Sequence, residues 1–363
     1  MKQNVSSHTS VDADVVSKDF IMKRVTIAQV ADEAGLSLST VNRVVSGKVS
    51  VRPETAQHVL AIAERLGFYG VGTIRGRIRG DRAERSVGLL VQQESMPFHH
   101  DLAHRFHVKA DEKQDVMLLP QVEHMEDLDP FKIAERLRAL GQKCDAVALS
   151  VADHPAINAV IEELADLGKP VFSAISDLSS PRRAGYVGID NRRFGRAAGW
   201  YASRLDRSGK EIAMLVGTHR HMCQEQREMG FRMYLRENAP DLIVLEAVTT
   251  FETDEGAYEA THDLLRRRAN LGAIYVLGGG IRGCIRALRE SREGRLPIVI
   301  TCELNDDTRA ALMDGIVAVA LAHPLEKVAA NLVEVMNCAI DEGKEWVRKD
   351  VILPFTTSIS ENV

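Results

Sequence analysis

Cysteine is sparse in this chain of 363 residues, and Cys144, Cys223, Cys284, Cys302 and Cys338 form no C-x-x-C pair. That scatter excludes a disulfide framework or a zinc ribbon and points to reduced thiols. Long apolar runs are also missing. No segment approaches the roughly 20 residues that span a bilayer, and residues 1–21 lack the basic start, apolar stretch and cleavage site of an export signal. They are read as a disordered extension, and the protein as cytoplasmic. No nucleophile-base set and no P-loop occurs, so no enzymatic activity and no cofactor is expected. One constellation invites a metal reading. His100, His104, His107 and Asp111 fall at i, i+4, i+7 and i+11, one face of an expected helix. Two such histidines can hold zinc, but no general-base motif accompanies them, and a solvated polar face is the expectation. No metal is assigned.

Charge is distributed unevenly. Residues 22–85 carry eleven Lys or Arg against six acids, net +5, while residues 1–21 carry −1. The whole-chain charge of −5 therefore leaves −9 for residues 86–363. A basic head on an acidic body suits a DNA binder, because phosphate neutralisation supplies most non-specific affinity.

The basic head has a readable pattern. Thr26 followed by Gln29 fits a capping box at a helix start, Ile27, Val30 and Ala31 form an apolar stripe, and Gly35 sits where the helix must turn left-handed. Ser37 can cap a second helix whose Val41, Val44 and Val45 face inward. This is a helix-turn-helix. Arg can pair bidentately with guanine and Asn with adenine in the major groove, so Leu38, Ser39 and Arg43 are the expected base readers. Thr26, Thr40, Asn42 and Lys48 are expected on phosphate, which positions the module without reading sequence.

The segment from Val25 to Phe68, with its T-I-x-x-V-A-x-x-A-G-L-S-x-x-T-V-x-R-V-V-S-G string, resembles the DNA-binding headpiece of the LacI/GalR family of bacterial transcription regulators. The later segments resemble that family's sugar-binding core. Two departures stand out: Asn42 where a small Ser is usual, and Arg52-Pro53 where the third helix usually has a capping Ser. The resemblance implies a hinge helix near residues 70–85 that forms on operator DNA. Here Gly70, Gly72, Gly76 and Gly80 alternate with Arg75, Arg77 and Arg79, and Arg77 takes the place of the usual minor-groove Leu. Glycine costs about 1 kcal/mol per helical position, so a free-standing helix is not expected. Either Arg75 and Arg77 enter a narrow minor groove or the stretch is a flexible basic linker.

From residue 86 onward, eleven short apolar strand candidates alternate with amphipathic helices, the arrangement of parallel sheets covered on both faces. The expected fold is an all-α helix-turn-helix headpiece plus an α/β two-lobed, periplasmic-binding-protein-like core with helices on both faces of its sheets. Its domains are a disordered extension at 1–21, a headpiece at 22–69, a hinge linker at 70–85 and an effector-binding and dimerisation core at 86–363.

Parallel sheets bind ligands beyond the carboxyl ends of their strands. That rule selects Gln92, Phe98, His99, Asp177, Arg227, Glu303 and His323. By resemblance, Phe98 packs on a sugar ring, Arg227 bonds ligand hydroxyls, Glu303 replaces a hydroxyl-binding Asp, and His323-Pro324 replaces a Gln-Pro step. Each has a bland reading: Phe98 as core, Arg227 as an interlobe tie, His323 as a buried structural histidine. Gly278 to Gly280 stand where the family has an Asn-Asp pair. The lost side chains either enlarge the pocket or expose backbone amides to an anion. Arg282 beside them suits an acidic sugar, and Glu303 suits a neutral polyhydroxyl.

These readings combine into a dimeric, operator-binding regulator, a repressor controlled by a small polar effector such as a sugar. The alternative is a transport-type solute-binding protein sharing the core, against which the basic headpiece and missing export signal count.

Overall fold

The computed structural model describes residues 25–47, 51–80, 83–94, 96–205, 209–291 and 296–363, and of residues 77–80 only the backbone. The expected disorder of residues 1–21, the phosphate contact of Lys48 and the side chain of Arg77 lie outside the described residues. The chain divides into two units, residues 1–82 and residues 83–363.

In the first unit, helices α1 (Ile27–Ala34), α2 (Leu38–Ser46) and α3 (Pro53–Leu66) each end at a glycine with positive φ: Gly35 at 64°, Gly47 at 64° and Gly67 at 70°. An L side chain is strained there, so glycine sets where each helix stops. The Thr26-Gln29 capping box closes reciprocally, and Ser37 caps α2 through the amide of Thr40 at 3.2 Å. Arg52 makes no side-chain cap, and Pro53 opens α3 instead. Val30, Ala31, Val41, Val44, Val59 and Ala63 form the small core.

A fourth helix, α4 (Val71–Gly80), stands in place of the flexible-linker alternative. It is not free-standing. Ile74 is fully buried in the headpiece core with Val71 packed beside it, and Arg75 bridges to Glu64 on α3 at 2.7 Å. Burying an Ile contributes roughly 1.5–3 kcal/mol, which offsets the penalty of about 1 kcal/mol each for Gly72 and Gly76.

The second unit is two lobes built from one winding chain. The first lobe comprises β1 (Glu84–Gln92), α5 (Pro97–Glu112), β2 (Met117–Met125), α6 (Pro130–Lys143), β3 (Ala146–Ser150), α7 (Pro155–Asp166), β4 (Val171–Ala174) and β5 (Gly185–Ile189). The second comprises α8 (Asn191–Arg204), β6 (Glu211–Val216), α9 (Met222–Asn238), β7 (Ile243–Val244), β8 (Val248–Thr249), α10 (Asp254–Arg267), β9 (Leu271–Val276), α11 (Ile281–Glu290), β10 (Ile298–Thr301), α12 (Asp306–Met313) and β11 (Val319–Ala322). The chain then returns to the first lobe through α13 (Leu325–Glu342) and β12 (Val351–Leu353), and ends in the second with β13 (Thr356–Ser358).

The first sheet runs β12-β5-β4-β3-β1-β2, all parallel. The second runs β13-β11-β10-β9-β6-β7, with β8 also on β6 and only β13 antiparallel. Strands β3, β6 and β9 are buried almost throughout because helices cover both faces, which is why they read as continuous apolar runs. The apolar run at residues 243–248 forms two short strands, β7 and β8, rather than one, and the run that begins at residue 317 becomes a strand only from Val319. Strand β13 was not expected: Thr356, Thr357 and Ser358 carry no apolar signal, and pairing with β11 alone makes them a strand.

Three crossovers join the lobes, at Asp190, at His323-Pro324 and at Pro354-Phe355. Beside the first, α8 and α9 pack backbone to backbone. A Cβ at Gly195 would lie 1.9 Å from the carbonyl oxygen of Arg227, and one at Gly230 would lie 2.1 Å from that of Arg192. This approach sets the position of Arg227. Gly230→Ala should force the helices apart and lower unfolding stability by about 1–3 kcal/mol, the usual penalty of overpacking. Urea denaturation checks this, and unchanged stability would refute the close approach.

Candidate functional site

The headpiece places one face of α2 in solvent. Leu38, Ser39, Asn42 and Arg43 are exposed, whereas Val41 and Val44 on the opposite side are buried. Leu38 remains 50% exposed although it is a large apolar residue at a helix start. Among the described residues of its unit, none covers it. Thr40 is half-buried and its hydroxyl lies 2.8 Å from that of Ser37, so the cap holds it toward the helix start. The Thr26 hydroxyl lies 3.2 Å from Gln29 Oε1.

In the core, the strand ends of the two lobes face one another across a cavity of about 60 Å³. Gln92, Phe98, His99, Arg227, Glu303 and His323 all line it, so six of the seven expected residues meet there. Asp177 does not, which corrects its assignment. Its carboxylate accepts from the Ser173 hydroxyl at 2.6 Å and the Leu178 amide at 2.8 Å, and pairs with the buried Arg183 at 2.5 Å. These bonds use the carboxylate up within the first lobe.

Arg227 is 3% exposed, and its donors go to the protein. Nε donates to Asn191 Oδ1 at 2.9 Å, Nη1 to the Leu277 carbonyl at 2.9 Å and Nη2 to His323 Nε2 at 3.2 Å. The guanidinium carbon stands 4.7 Å from the ring centroid of Phe194. These partners belong to the second lobe and its crossovers, so Arg227 is held by that lobe's own frame rather than by the first lobe. Because a guanidinium only donates, His323 Nε2 must accept, and the ring proton sits on Nδ1. That Nδ1 is buried and has no partner among the described residues, as is also true of His99 Nδ1. Burial holds both imidazoles neutral, His99 down to about 3 and His323 well below its ordinary value.

The lobes touch directly. The Asp153 amide donates to the Arg220 carbonyl at 3.1 Å, and the Cys223 amide to Ser176 Oγ at 3.3 Å. A cavity of this size holds about two waters, so a sugar ring requires the lobes to part. A larger cavity of about 870 Å³ adjoins it, sharing Phe98, Glu303 and His323 and extending to Asp101, Arg282 and Asp307.

Residues 26–70 match the family described as bacterial regulatory proteins, lacI family, and residues 136–345, over half of the chain, match a periplasmic binding protein domain. The chain belongs to the lacI family of bacterial regulatory proteins. This lacI-family protein is 26% identical over 335 residues to the HTH-type transcriptional regulator DegA of Bacillus subtilis, spanning 91% of this chain and 96% of that one. It is 27% identical over 256 residues to catabolite control protein A of Priestia megaterium, spanning 69% and 73% respectively. Among solved structures, a solute binding protein of an ABC transporter from Burkholderia graminis, in complex with D-arabinose, aligns at a TM-score of 0.68 and 20% identity over 78% of this chain and 97% of that one. The XylFII-LytSN complex aligns at 0.67 and 19% identity, over 77% and 99%. The core of this lacI-family regulator thus has the periplasmic-binding-protein fold, and its helix-turn-helix makes it a DNA-binding transcriptional regulator.

Sequence reasoning missed Glu252, Gln224, His221 and Cys223, which also line the inner cavity. His221 is the N-cap residue of α9 and Cys223 lies in its first turn, but Glu252 follows the short β8, whose weak apolar pattern hid the strand end. The His100, His104 and His107 side chains are exposed on α5, and among the described residues no group of three or more metal-ligating side chains is close enough to hold an ion.

Glu303 carries the cleft's most informative titration. Burial pushes its carboxyl up to about 7, with Arg227 opposing and Glu252 and Asp254 reinforcing the shift. Between the ordinary value of 4.5 and about 7 the folded protein holds a proton that the unfolded chain has released, so stability falls as pH rises through that window. Buried His99 acts oppositely, since the unfolded chain protonates it below 6.5. Glu303→Gln isolates the first effect: its stability relative to wild type should rise from pH 4.5 to 7.5 and then level off. Thermal melts across that range check this, and a difference independent of pH would refute it.

Proposed function

We propose that this regulator binds an inverted-repeat operator as a homodimer in the cytoplasm, represses transcription there, and is released or recruited by a small polyhydroxyl effector held between the lobes of its core. The observation that carries the reading is the exposed face of α2, where Leu38, Ser39, Asn42 and Arg43 stand on a helix braced by its cap and its buried valines. Leu38, Ser39 and Arg43 read base edges, Arg43 as a bidentate donor to guanine and Leu38 against a thymine methyl. Thr26, Thr40, Asn42 and Lys48 face phosphate, and Arg75 and Arg77 face a groove.

For the effector, Gln92, Phe98, His99, Glu303 and His323 offer an aromatic edge, two unpartnered imidazole nitrogens and a carboxylate without a partner among the described residues. This mix suits a ring with several hydroxyl groups. Lobe closure is the two-state element. A ligand bridging the lobes favours one arrangement, and effector and operator then influence each other by an equal free energy, typically about 1–3 kcal/mol. The relatives bear the names of transcriptional regulators, and no catalytic role is assigned.

Arg43→Ala should lose discrimination between operator and scrambled duplex by about 1–3 kcal/mol, the worth of a good bidentate base contact. Fluorescence anisotropy at one salt concentration checks this. Equal weakening on both duplexes would place base reading elsewhere.

A further inference from the structure

The turn Gly278-Gly279-Gly280 leads into α11, and its glycines leave a cradle rather than an open pocket. Glu252 fills it. Its Oε2 accepts from the Gly279 amide at 2.8 Å and its Oε1 from Gln224 Nε2 at 2.6 Å. Gln224 Oε1 in turn accepts from the Gly217 amide at 2.8 Å. A Cβ at Gly217 would lie 2.0 Å from Glu252 Oε1, and one at Gly279 would lie 2.4 Å from Oε2. A Cβ at Gly278 would lie 2.4 Å from Gln224 Oε1. Three glycines are thus shaped around one carboxylate and its amide partner.

The backbone is strained to bring that carboxylate in. Phe251 and Glu252 stand consecutively at φ 55° and 59°, a region L residues rarely adopt. Such strain persists only where the surroundings impose it, and it concentrates at ligand sites. Phe251 is 72% exposed and needs no such conformation for burial, so the beneficiary is Glu252.

Among the described lining residues of the inner cavity, the charged groups are Glu252, Glu303 and Arg227, and Arg227 is tied to Asn191, Leu277 and His323. Arg282, the other cation near the turn, pairs with Asp307 at 3.0 Å. The field facing a ligand at the glycine turn is therefore negative, set by Glu252, while Glu303, pushed up to about 7, adds its charge only as it ionises.

We propose that Glu252 is a built-in specificity determinant, occupying the Gly279 amide that an acidic effector would need and restricting the cleft to neutral or amino polyhydroxyl ligands. This rests on the effector-binding reading above, and it resolves the ambiguity of the glycine turn against an anion. An incoming carboxylate meets both a filled amide and a like charge, whereas an amine meets Glu252 and Glu303 favourably.

The test uses full-length wild type, Glu252→Gln and Glu252→Gly. Glutamine keeps the shape without the charge. Glycine empties the cradle and suits a φ of 59°. Each protein is titrated by calorimetry with glucose, galactose and mannose, each offered as the neutral sugar, the 2-amino sugar and the uronate. The expected result is that wild type takes neutral or amino forms over uronates, and that Glu252→Gly raises uronate affinity relative to neutral sugar by at least about tenfold, with Glu252→Gln between. A wild type that prefers a uronate overturns the proposal, as does a Glu252→Gly protein, folded by circular dichroism, that gains no uronate binding. Failure of the regulator reading shows separately, as a wild type without operator preference before any sugar is added.

Discussion

The guanidinium of Arg227 is the constraint on which the core depends. It is a charge buried where both lobes meet, and such a charge is tolerated only when its donors are matched. Asn191 follows the first crossover, His323 lies on the second, and the Leu277 carbonyl ends the strand that feeds the glycine turn. One side chain therefore sets the relative placement of two crossovers and a strand end. The aromatic ring of Phe194 beneath it completes the enclosure.

That placement depends on glycine rather than on side-chain packing. Gly195 and Gly230 let α8 and α9 meet at backbone distance, which brings Arg227 to Asn191. The same device recurs at Gly217, Gly278 and Gly279, where absent side chains make room for Glu252 and Gln224. In a sequence, such a glycine looks like a gap. In the fold it is filled by a polar group from another element, so the cavity is smaller and more acidic than the glycines alone imply.

The headpiece follows a different logic, being organised by local signals. Caps at Thr26 and Ser37 and left-handed glycines at 35, 47 and 67 bound three short helices from within their own neighbourhoods. The fourth helix is the exception. Its glycines argue against it locally, and only the burial of Ile74 and the Arg75-Glu64 pair make it helical.

The sequence by itself determined the helix-turn-helix, the exposed polar face of α2, the alternation of strands and helices, and six of the seven residues that line the inner cavity. All of these depend on periodicity, capping or position at a strand end, which are local properties. Tertiary structure alone decided the rest. Asp177 left the cleft because Arg183, six residues on, captured its carboxylate within the first lobe. Strand β13 exists because β11 offers it an edge. Arg227 became part of the second lobe's frame and Glu252 a lining residue because their partners come from elements 27 to 96 residues away in the chain, at separations no local pattern encodes.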